Sequence, residues 1–456
     1  MAIEDAFLHD ILAHPDDDAP RLIYADWLEE HNNPRGEFIR VQCALARLAP
    51  EEPRRWPLER RERELLAAHE REWLPQGELA RKCRFRRGFI EEITLTPDEF
   101  LASASRLFEQ LPIRHLCLWG AGQSALPGRW RRRAGAAAPP DEPRDSPMER
   151  VARSPYLSRL SELVLRHPSL PDLQAFLASP HLHQLAELRL SEAHLDENLL
   201  LIWSQSRLWP RLRSLDLTRS RLTPMAFRVL AEMPLLTNLA RLNLAHTELT
   251  LDNLRLLVRS AFLPHLSELN LNGNRLTLDA VRVLPEGRLL SQLETLHLDA
   301  NLLGDAGADL MRGWSALPRL SRLSLVQNQL FEAGIAALSE SPALSQLNSL
   351  DLFNNISCDS GAEALASSPH WRHLRMLNLR FNGIRDRGVR ALAKSEQLPE
   401  LTWLNLSTNA ITNEGANALI GSPHLRRLAR LDLLRNDVGP AEQQRLRDRF
   451  GPYVFV

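Results

Sequence analysis

The stretch "LTWLNLSTNAIT", residues Leu401 to Thr412, decides the fold of this chain. In it, the apolar residues Leu404 and Leu406 are two positions apart. Apolar residues that recur with a period of two predict a short strand with one buried face. Thr412 is a favourable N-cap residue, and the small residues of the following "NEGANAL" favour a helix that lies close to a sheet. The stretch therefore predicts one strand, one turn and one helix.

The leucine that opens this stretch recurs at a fixed interval. The interval is 27 residues, nine times in succession, at Leu185, Leu212, Leu239, Leu266, Leu293, Leu320, Leu347, Leu374, Leu401 and Leu428. Another copy opens at Leu160, 25 residues before the first of these. One strand–helix unit cannot bury its apolar face alone, so the repeat predicts a stack of units with a continuous core.

The dimensions of the two elements predict the form of the stack. Parallel strands pair about 4.8 Å apart, whereas helices are roughly 10 Å across. We therefore expect an α/β, right-handed solenoid that bends into a horseshoe, with strands on the concave face and helices on the convex face.

An asparagine stands eight residues after the opening leucine in seven successive units, at Asn274, Asn301, Asn328, Asn355, Asn382, Asn409 and Asn436. Such a column predicts inward amides that bond the backbone of the loops. Earlier units carry other residues there, which predicts weaker or different bonding: Thr247, Ser220, Ala193 and Pro168. The unit "LNSLDLFNNIS" places Ile356 one position early and Ser357 at an aliphatic position, so a local distortion is expected.

The pattern L-x-x-L-x-L-x-x-N-x-[LIV], as in "LETLHLDANLL" and "LRMLNLRFNGI", resembles leucine-rich repeats. It is most similar to the ribonuclease-inhibitor-like class, which has a true helix in each unit. The resemblance covers roughly residues 156 to 440 and implies that the concave sheet is the default binding surface.

Before the repeats, "PRLIYADWLEEHNNPRGEFIRVQ" resembles a small bacterial repeat-companion domain, which implies an all-α module over residues 1–50 and no activity. Two interpretations of its polar residues stay open. Asp26 and its acidic neighbours can form carboxylate–arginine bridges with Arg35 or Arg40 between helices. Alternatively, Tyr24, Asp26 and Arg35 form a surface for a ligand or partner.

Composition and pattern predict the other boundaries. They are a charged linking helix over residues 51–80, an N-terminal cap and irregular first repeat over 81–120, a flexible Pro/Arg/Ala-rich insertion over 121–154, about eleven repeats over 155–439, and a C-terminal cap over 440–456. The "RWRRR" of the insertion could contact nucleic acid or an anionic partner, but neighbouring acidic residues favour a solvated loop.

The bulk composition predicts no pull toward nucleic acid or membrane. The 56 basic and 57 acidic side chains leave a net charge of −1. The N-terminus lacks a signal-peptide pattern, and no apolar run is long enough for a membrane span. Four cysteines without a C-x-x-C spacing argue against zinc and disulfides, so we expect reduced thiols and a cytoplasmic location.

No nucleotide-binding, metalloprotease or nucleophile-elbow motif is present in the sequence. The sequence therefore predicts no catalytic residue, no cofactor and no metal ligand. His297 would point to the concave face, but an isolated histidine there is weak support for a site.

Large apolar side chains and arginines recur at exposed positions of the last five repeats. The predicted partner-binding residues are Val326, Phe353, Met376, Arg380, Phe381, Trp403, Leu434 and Arg435. An open sheet has no core for such residues to fill, so they resemble interface anchors. The plainer interpretation is scattered exposed apolar residues, which are normal on protein surfaces.

These observations predict a non-enzymatic bacterial scaffold, expected to be a monomer, that binds a protein partner on the concave sheet. An alternative is an adaptor whose N-terminal helical module recruits an enzyme while the repeats select the target. A ribonuclease inhibitor proper is disfavoured, since that class is acidic and rich in thiols. A hydrolase is disfavoured because its motifs are absent.

Overall fold

A computed structural model describes residues 3–50, 52–75, 77–119, 146–206, 211–315 and 317–456. Residues 121–145 of the predicted insertion, with its "RWRRR", lie outside the described residues. Packing divides the chain into two compact units, the first comprising Met1–Leu48 and Pro57–Val229 and the second Ala49–Trp56 and Leu230–Val456. Each unit is described by itself.

The first unit contains a helical part and the first strand–helix repeats. Its helices, two of which extend across a unit boundary, are α1 Ile3–Ala13, α2 Ala19–Glu30, α3 Arg35–Arg47, α4 Arg55–Trp73, α5 Pro97–Gln110, α6 Pro147–Ala152, α7 Leu170–Leu177, α8 Glu197–Ser204 and α9 Pro224–Ala231. Its strands are β1 Cys83–Arg86, β2 Phe89–Leu95, β3 His115–Trp119, β4 Glu162–Arg166, β5 Glu187–Ser191, β6 His194–Leu195, β7 Ser214–Asp216 and β8 Arg221–Leu222.

A shared core joins helices α1–α3 to strand β2. Ile11, Leu28 and Ile39 pack in one apolar cluster with Phe89 of β2. Beside it, the fully buried Arg21 of α2 donates to Glu91 of β2 at 2.5 Å and to the carbonyl of Asp17 at 2.8 Å. Removing one partner of such a buried pair would leave an uncompensated charge, so the pair fixes α2 against the sheet.

In the first unit, β1 is antiparallel to β2, and β2, β3, β4, β5 and β7 then pair in parallel. The register aligns equivalent leucines, since Leu116 pairs with Leu163, Leu163 with Leu188 and Leu188 with Leu215. Each is at most 4% exposed, so one face of the strands supplies the core. Strands β6 and β8 form a separate parallel pair.

The second unit continues the strand–helix alternation. Its helices are α10 Leu251–Val258, α11 Leu278–Val283, α12 Leu289–Gln292, α13 Gly304–Arg312, α14 Glu332–Ser339, α15 Cys358–Ser367, α16 Asp386–Lys394, α17 Asn413–Ile420 and α18 Pro440–Phe450. Its strands are β9 Arg241–Asn243, β10 Glu268–Asn270, β11 Thr295–His297, β12 Arg322–Ser324, β13 Ser349–Asp351, β14 Met376–Asn378, β15 Trp403–Asn405, β16 Arg430–Asp432 and β17 Val454–Phe455.

Strands β9 to β17 pair in parallel in sequence order, and the 27-residue spacing sets the register of β9 to β16. Leu377, for example, pairs with Leu350 and with Leu404, and all three are at most 1% exposed. The predicted α/β solenoid with parallel strands and buried leucines is confirmed. The segment Ala49–Trp56 also packs in this unit, where the Trp56 and Tyr453 rings lie 6.4 Å apart.

The predicted asparagine column forms a ladder between successive loops. The Asn301 carbonyl oxygen accepts from the backbone amides of Asn274 and Leu276, both at 3.0 Å. Its amide nitrogen donates to the carbonyls of Leu298 at 2.8 Å and Leu271 at 3.2 Å. The same pattern occurs at Asn274, Asn355 and Asn409. Each buried amide thus satisfies backbone groups that the strand ladder leaves unpaired.

The ladder changes where the sequence changes. In the first unit the hydroxyl of Ser220 accepts from the amide of Ala193 at 3.1 Å and donates to the carbonyl of Leu190, so it satisfies one amide instead of two. The predicted distortion at Ser357 is also confirmed. Its side chain is buried with an unpartnered hydroxyl among the described residues, while Ile356 is 50% exposed.

A column of serines, which the sequence analysis did not detect, joins the opposite ends of the repeats. Each hydroxyl donates to a backbone carbonyl at the end of the helix in the preceding repeat, at Ser179, Ser206, Ser260, Ser341, Ser368, Ser395 and Ser422. These bonds satisfy carbonyls that a helix C-terminus leaves unpaired.

Carboxylates make a third set of contacts between neighbouring helices. Asp386 accepts from the amides of Thr412 at 2.8 Å and Gly415 at 2.9 Å, and Asp359 accepts in the same way from Arg385 and Gly388. A β-carbon on Gly415 would lie 2.5 Å from the Asp386 carboxylate, which explains the glycine at the start of this helix.

Candidate functional site

We call the side of the sheet opposite the buried leucines the strand face. In the second unit, the polar residues that end several strands on this face have a structural role. Asn243, Asn270, Asp351, Asn378 and Asn405 each accept, through a side-chain oxygen, a hydrogen bond from the amide two residues later. Such local bonds turn the chain at the end of a strand. These polar side chains therefore shape the loops that follow the strands.

The predicted partner-binding residues differ in exposure. Phe381 is 53% exposed and Leu434 is 48% exposed, and the side chains of Arg380 and Arg435 are also exposed. The remaining four are only partly exposed, namely Val326, Phe353, Met376 and Trp403.

Two of these residues meet across neighbouring repeats. The Arg380 guanidinium lies over the Phe353 ring, 5.1 Å from its centroid. The cation and ring attract each other electrostatically. This contact holds Arg380 beside the exposed ring of Phe381.

Trp403 is held in an internal stack. The Arg430 guanidinium lies 5.6 Å from the Trp403 ring and 5.2 Å from the Phe455 ring. The Trp403 indole also donates to Asp432 at 2.5 Å, and Asp432 accepts from Arg430 at 3.1 Å. Part of the Trp403 side chain therefore makes contacts within the chain, so less of its surface is available to a partner.

The exposed apolar side chains of the second unit lie on one edge. We define the loop edge as the six residues that begin two positions after each strand from β9 to β16, namely residues 245–250, 272–277, 299–304, 326–331, 353–358, 380–385, 407–412 and 434–439. All large hydrophobic side chains that are exposed in the described part of the second unit lie on it, at Leu302, Phe331, Ile356, Phe381 and Leu434.

Leu302, Phe331 and Ile356 were not predicted, because the sequence analysis followed the strand face. The sequence does indicate an unusual position here, because Glu248, Arg275 and Gln329 occupy the position of Leu302 and Ile356 in other repeats. Phe331 and Ile356 are neighbours through an isolated parallel bridge. The loop edge therefore carries apolar residues at positions that other repeats give to polar ones.

Phe381 also has an unusual backbone. Its φ of 55° lies in the left-handed region, which is unfavourable for a bulky residue. The equivalent residue has positive φ in ten successive repeats, at Glu192, Arg219, His246, Gly273, Ala300, Gln327, Asn354, Phe381, Thr408 and Arg435. The turn thus requires this conformation, and an aromatic residue there carries strain that a glycine would not.

In the N-terminal helices, Arg40 forms the predicted carboxylate–arginine bridge, to Asp26 and to Glu29. The alternative surface is largely internal: the Tyr24 ring packs 5.2 Å from Phe7, and the Arg35 guanidinium lies 5.4 Å from the Phe89 ring. Burial is the main cause that raises the pKa of Tyr24 and lowers the pKa of Arg35.

His297 lies on the strand face, 3.9 Å from Glu268. Nearby, Asp299 accepts from the Ser324 hydroxyl at 2.5 Å and from the amide of Val326 at 3.0 Å. Within the described ranges, no group of three or more His, Cys, Asp or Glu side chains is arranged to hold a metal ion. Asp299 is held by hydrogen bonds from Ser324 and Val326 of the next repeat.

A cavity of about 650 Å³ lies at the other end of the repeats, between Val258–Pro264 and Glu286–Gln292. Gly287 stands where most repeats have the column serine, and a β-carbon there would lie 1.8 Å from the Val258 carbonyl. Arg259 and Glu286 pair at 2.7 Å in its lining. Two of its charged groups, Arg259 and Glu286, already pair with each other, so it is a weaker candidate than the loop edge.

Stacked strand–loop–helix units with an open strand face and a loop edge define a solenoid repeat protein. The family model described as "Leucine Rich repeat" matches two of its units, at residues 370–393 and 398–419. No curated protein matches the chain. None of the helices described is long and apolar enough to cross a bilayer.

Two solved structures are similar in fold. An internalin from Listeria monocytogenes matches with a TM-score of 0.40 and 20% identity over 68% of this chain and 92% of its own. A chain of the yeast Rad7–Elc1 complex matches with a TM-score of 0.38 and 15% identity over 90% of this chain and 94% of its own. At these scores neither likeness supports an inference about function.

Proposed function

We propose that the protein is a non-enzymatic scaffold that binds another protein through the loop edge and adjoining strand face of its second unit. The observation that carries the proposal is the restriction of exposed large apolar side chains of the described second unit to the loop edge. Exposed apolar residues that cluster on one surface mark interaction sites more often than scattered ones do.

Two further observations support an interface. Phe381 places a large aromatic side chain at a turn position where neighbouring repeats carry Gln327, Asn354 and Thr408. Val326, Phe353 and Met376 are also partly exposed and supply further apolar surface. Aromatic and arginine side chains are the residues most enriched among interface anchors.

Finer features of the proposal rest on the sequence. We place the repeats in the ribonuclease-inhibitor-like class because each unit carries a helix, and residues 1–50 in a bacterial repeat-companion domain. We place the protein in the cytoplasm because Cys43, Cys83, Cys117 and Cys358 are free, and we keep the monomer as the expected oligomeric state. The predicted boundaries of the linker and caps are retained, but the range predicted as an insertion, 121–154, includes the helix α6 Pro147–Ala152 at its end.

The adaptor remains the second candidate. It is favoured by Ile3 and Ile23, which are 63% and 56% exposed on the N-terminal helices. An adaptor would use these helices for a second partner, whereas a simple scaffold would not need them.

Quantitative affinity capture with the full-length chain tests both candidates. For a partner that binds the wild type, Phe353→Ala combined with Phe381→Gly should weaken binding by about tenfold, as expected for anchors. The melting temperature should not fall, since glycine relieves the backbone strain at residue 381. Leu201→Ala is the matched control, because Leu201 of α8 is also 53% exposed.

The outcome separates the candidates. A partner that keeps its affinity for the double variant does not use the loop edge, and the scaffold proposal would then be wrong. Partners lost with Ile23→Asp but retained by the double variant would identify the adaptor. Equal losses with Leu201→Ala would show that the effects are not specific to the loop edge.

A further inference from the structure

The charges on the loop edge indicate what kind of partner it fits. In its last three loops, residues 380–385, 407–412 and 434–439, the charged side chains are Arg380, Arg385, Arg435 and Asp437. These loops therefore carry three cations and one anion, whereas the whole chain has a net charge of −1. The excess of positive charge is local to this edge.

The cations on this edge are not neutralised within the described chain. Several surface arginines of the second unit pair with a carboxylate, as Arg390 does with Glu414 and Arg427 with Glu400. By contrast, no described carboxylate lies within ion-pair distance of Arg380, Arg385 or Arg435. Their side chains are exposed, so they can bind an external carboxylate without first breaking an internal pair.

Each of the two outer arginines has an exposed apolar side chain beside it in its loop. Phe381 and Leu434, about half exposed, lie next in sequence to Arg380 and Arg435 respectively. Arg380 is held over the Phe353 ring, and its position is therefore restricted before a partner arrives. A restricted side chain loses less entropy on binding than a free one.

The spacing of the repeats limits the shape of the partner. Backbone hydrogen bonds continue from loop to loop, from Phe381 to Ser407 at 3.0 Å and from Thr408 to Leu434 at 2.7 Å. Neighbouring strands are about 4.8 Å apart, so Arg380 and Arg435 are separated by roughly 10 Å along the edge. An extended chain covers that distance in about three residues.

We propose that the last three loops of this edge bind an extended acidic segment of a partner protein, whose carboxylates pair with Arg380 and Arg435 and whose apolar side chain packs on Phe381 and Leu434. The inference rests on the proposed scaffold function and adds the chemistry of the partner. An apolar contact beside each of the two cations favours a protein segment over nucleic acid, whose affinity comes mainly from phosphates.

Peptide selection against the full-length chain tests this inference. Random peptides of about twelve residues are selected by display on the immobilised protein, and the Kd values of synthetic copies are measured by fluorescence anisotropy. The selected peptides should contain at least two Asp or Glu residues near an aromatic or aliphatic one. Arg380→Glu and Arg435→Glu should each raise Kd by about tenfold, and added salt should weaken binding.

Arg372→Glu is the matched control, since Arg372 is an exposed arginine in a helix-to-strand loop, away from the loop edge. It should leave Kd unchanged. Selected peptides that are neutral or basic, or that bind Arg380→Glu as tightly as the wild type, would overturn the acidic segment. A mixed-sequence single-stranded DNA that binds with the same dependence on Arg380 and Arg435 would also overturn it.

The two proposals can fail separately. Peptides that lose affinity with Phe353→Ala but not with the charge reversals would leave the scaffold in place and remove the acidic partner. Peptides whose Kd is unchanged by Phe353→Ala, Phe381→Gly and both charge reversals would contradict both proposals.

Discussion

The two units use the same 27-residue frame but differ in what holds their loops and in what they leave exposed. Buried asparagines tie most loops of the second unit together, whereas the hydroxyl of Ser220 makes the equivalent contact in the first. In the described second unit, exposed large apolar side chains are confined to the loop edge. In the first they occur on helices and at a strand end, as at Ile23, Leu201 and Trp119.

The buried acids of the two strand faces also differ. Glu162 in the first unit contacts His115 at 2.7 Å and Arg189 at 2.9 Å, so its charge is neutralised within the chain. Asp351 in the second unit accepts hydrogen bonds from the amide of Phe353 and the side chain of Asn378, both of which are neutral donors. In the first unit, therefore, Glu162 finds its charged partners within the chain. In the second unit, buried asparagines join the loops, and the loop edge carries exposed apolar side chains.

The largest effect is expected from breaking the frame that the units share. Leu377→Asp and Leu188→Asp each place a charge where the leucine is at most 4% exposed, and each should lower the free energy of unfolding by about 4 kcal/mol or more. Chemical denaturation measures the change. Met376→Asp is the control on the adjoining strand-face position and should cost about 1 kcal/mol or less. Equal effects at residues 376 and 377 would contradict the register.

The frame was predictable because its determinants are periodic in the sequence. The buried leucines, the asparagine ladder and the distortion at Ser357 all occupy fixed positions within the repeat. The serine column was periodic too, but a serine beside a helix end resembles an ordinary turn residue, and only the structure shows its hydroxyl reaching the preceding repeat.

The candidate site was less predictable because it depends on contacts between residues that have no fixed spacing. The sequence placed Trp403 among the exposed anchors, and the structure encloses it between Arg430 and Asp432. Conversely, Phe331 and Ile356 meet on the loop edge although neither belongs to the alternating pattern of a strand. Arg21 and Glu91, 70 residues apart, could not be paired from the sequence.

A smaller effect should sharpen the difference between the ladders. Asn301→Ala leaves two buried amides, those of Asn274 and Leu276, without an acceptor, so we expect a loss of roughly 2–4 kcal/mol in stability. Ser220→Ala leaves one buried amide, that of Ala193, without an acceptor. It should lower the free energy of unfolding by about half as much. Urea denaturation compares them, with Arg372→Ala at an exposed loop position as a control below about 1 kcal/mol. If Ser220→Ala lowers the stability as much as Asn301→Ala does, the two units do not differ in how strongly these side chains stabilise their loops.

The smallest effect concerns the dependence of stability on pH, and its sign should differ between the units. Burial alone would raise the pKa of Glu162, but the hydrogen bond with His115 and the charges of Arg189 and Arg86 outweigh it and lower the pKa. Burial raises the pKa of Asp351, and the charge of Asp299 adds to the rise, against the hydrogen bonds from Phe353 and Asn378.

A lowered pKa in the folded state makes the Glu162 contribution present above the pKa of the unfolded chain and lost as the pH falls through the folded value. A raised pKa makes the Asp351 contribution present at acidic pH and lost as the pH rises through the folded value. Urea denaturation between about pH 3 and pH 7 should therefore show that Glu162→Gln removes a loss of stability on acidification, whereas Asp351→Asn removes a gain. If both variants change the pH dependence in the same direction, the acids of the two strand faces are not in opposite environments.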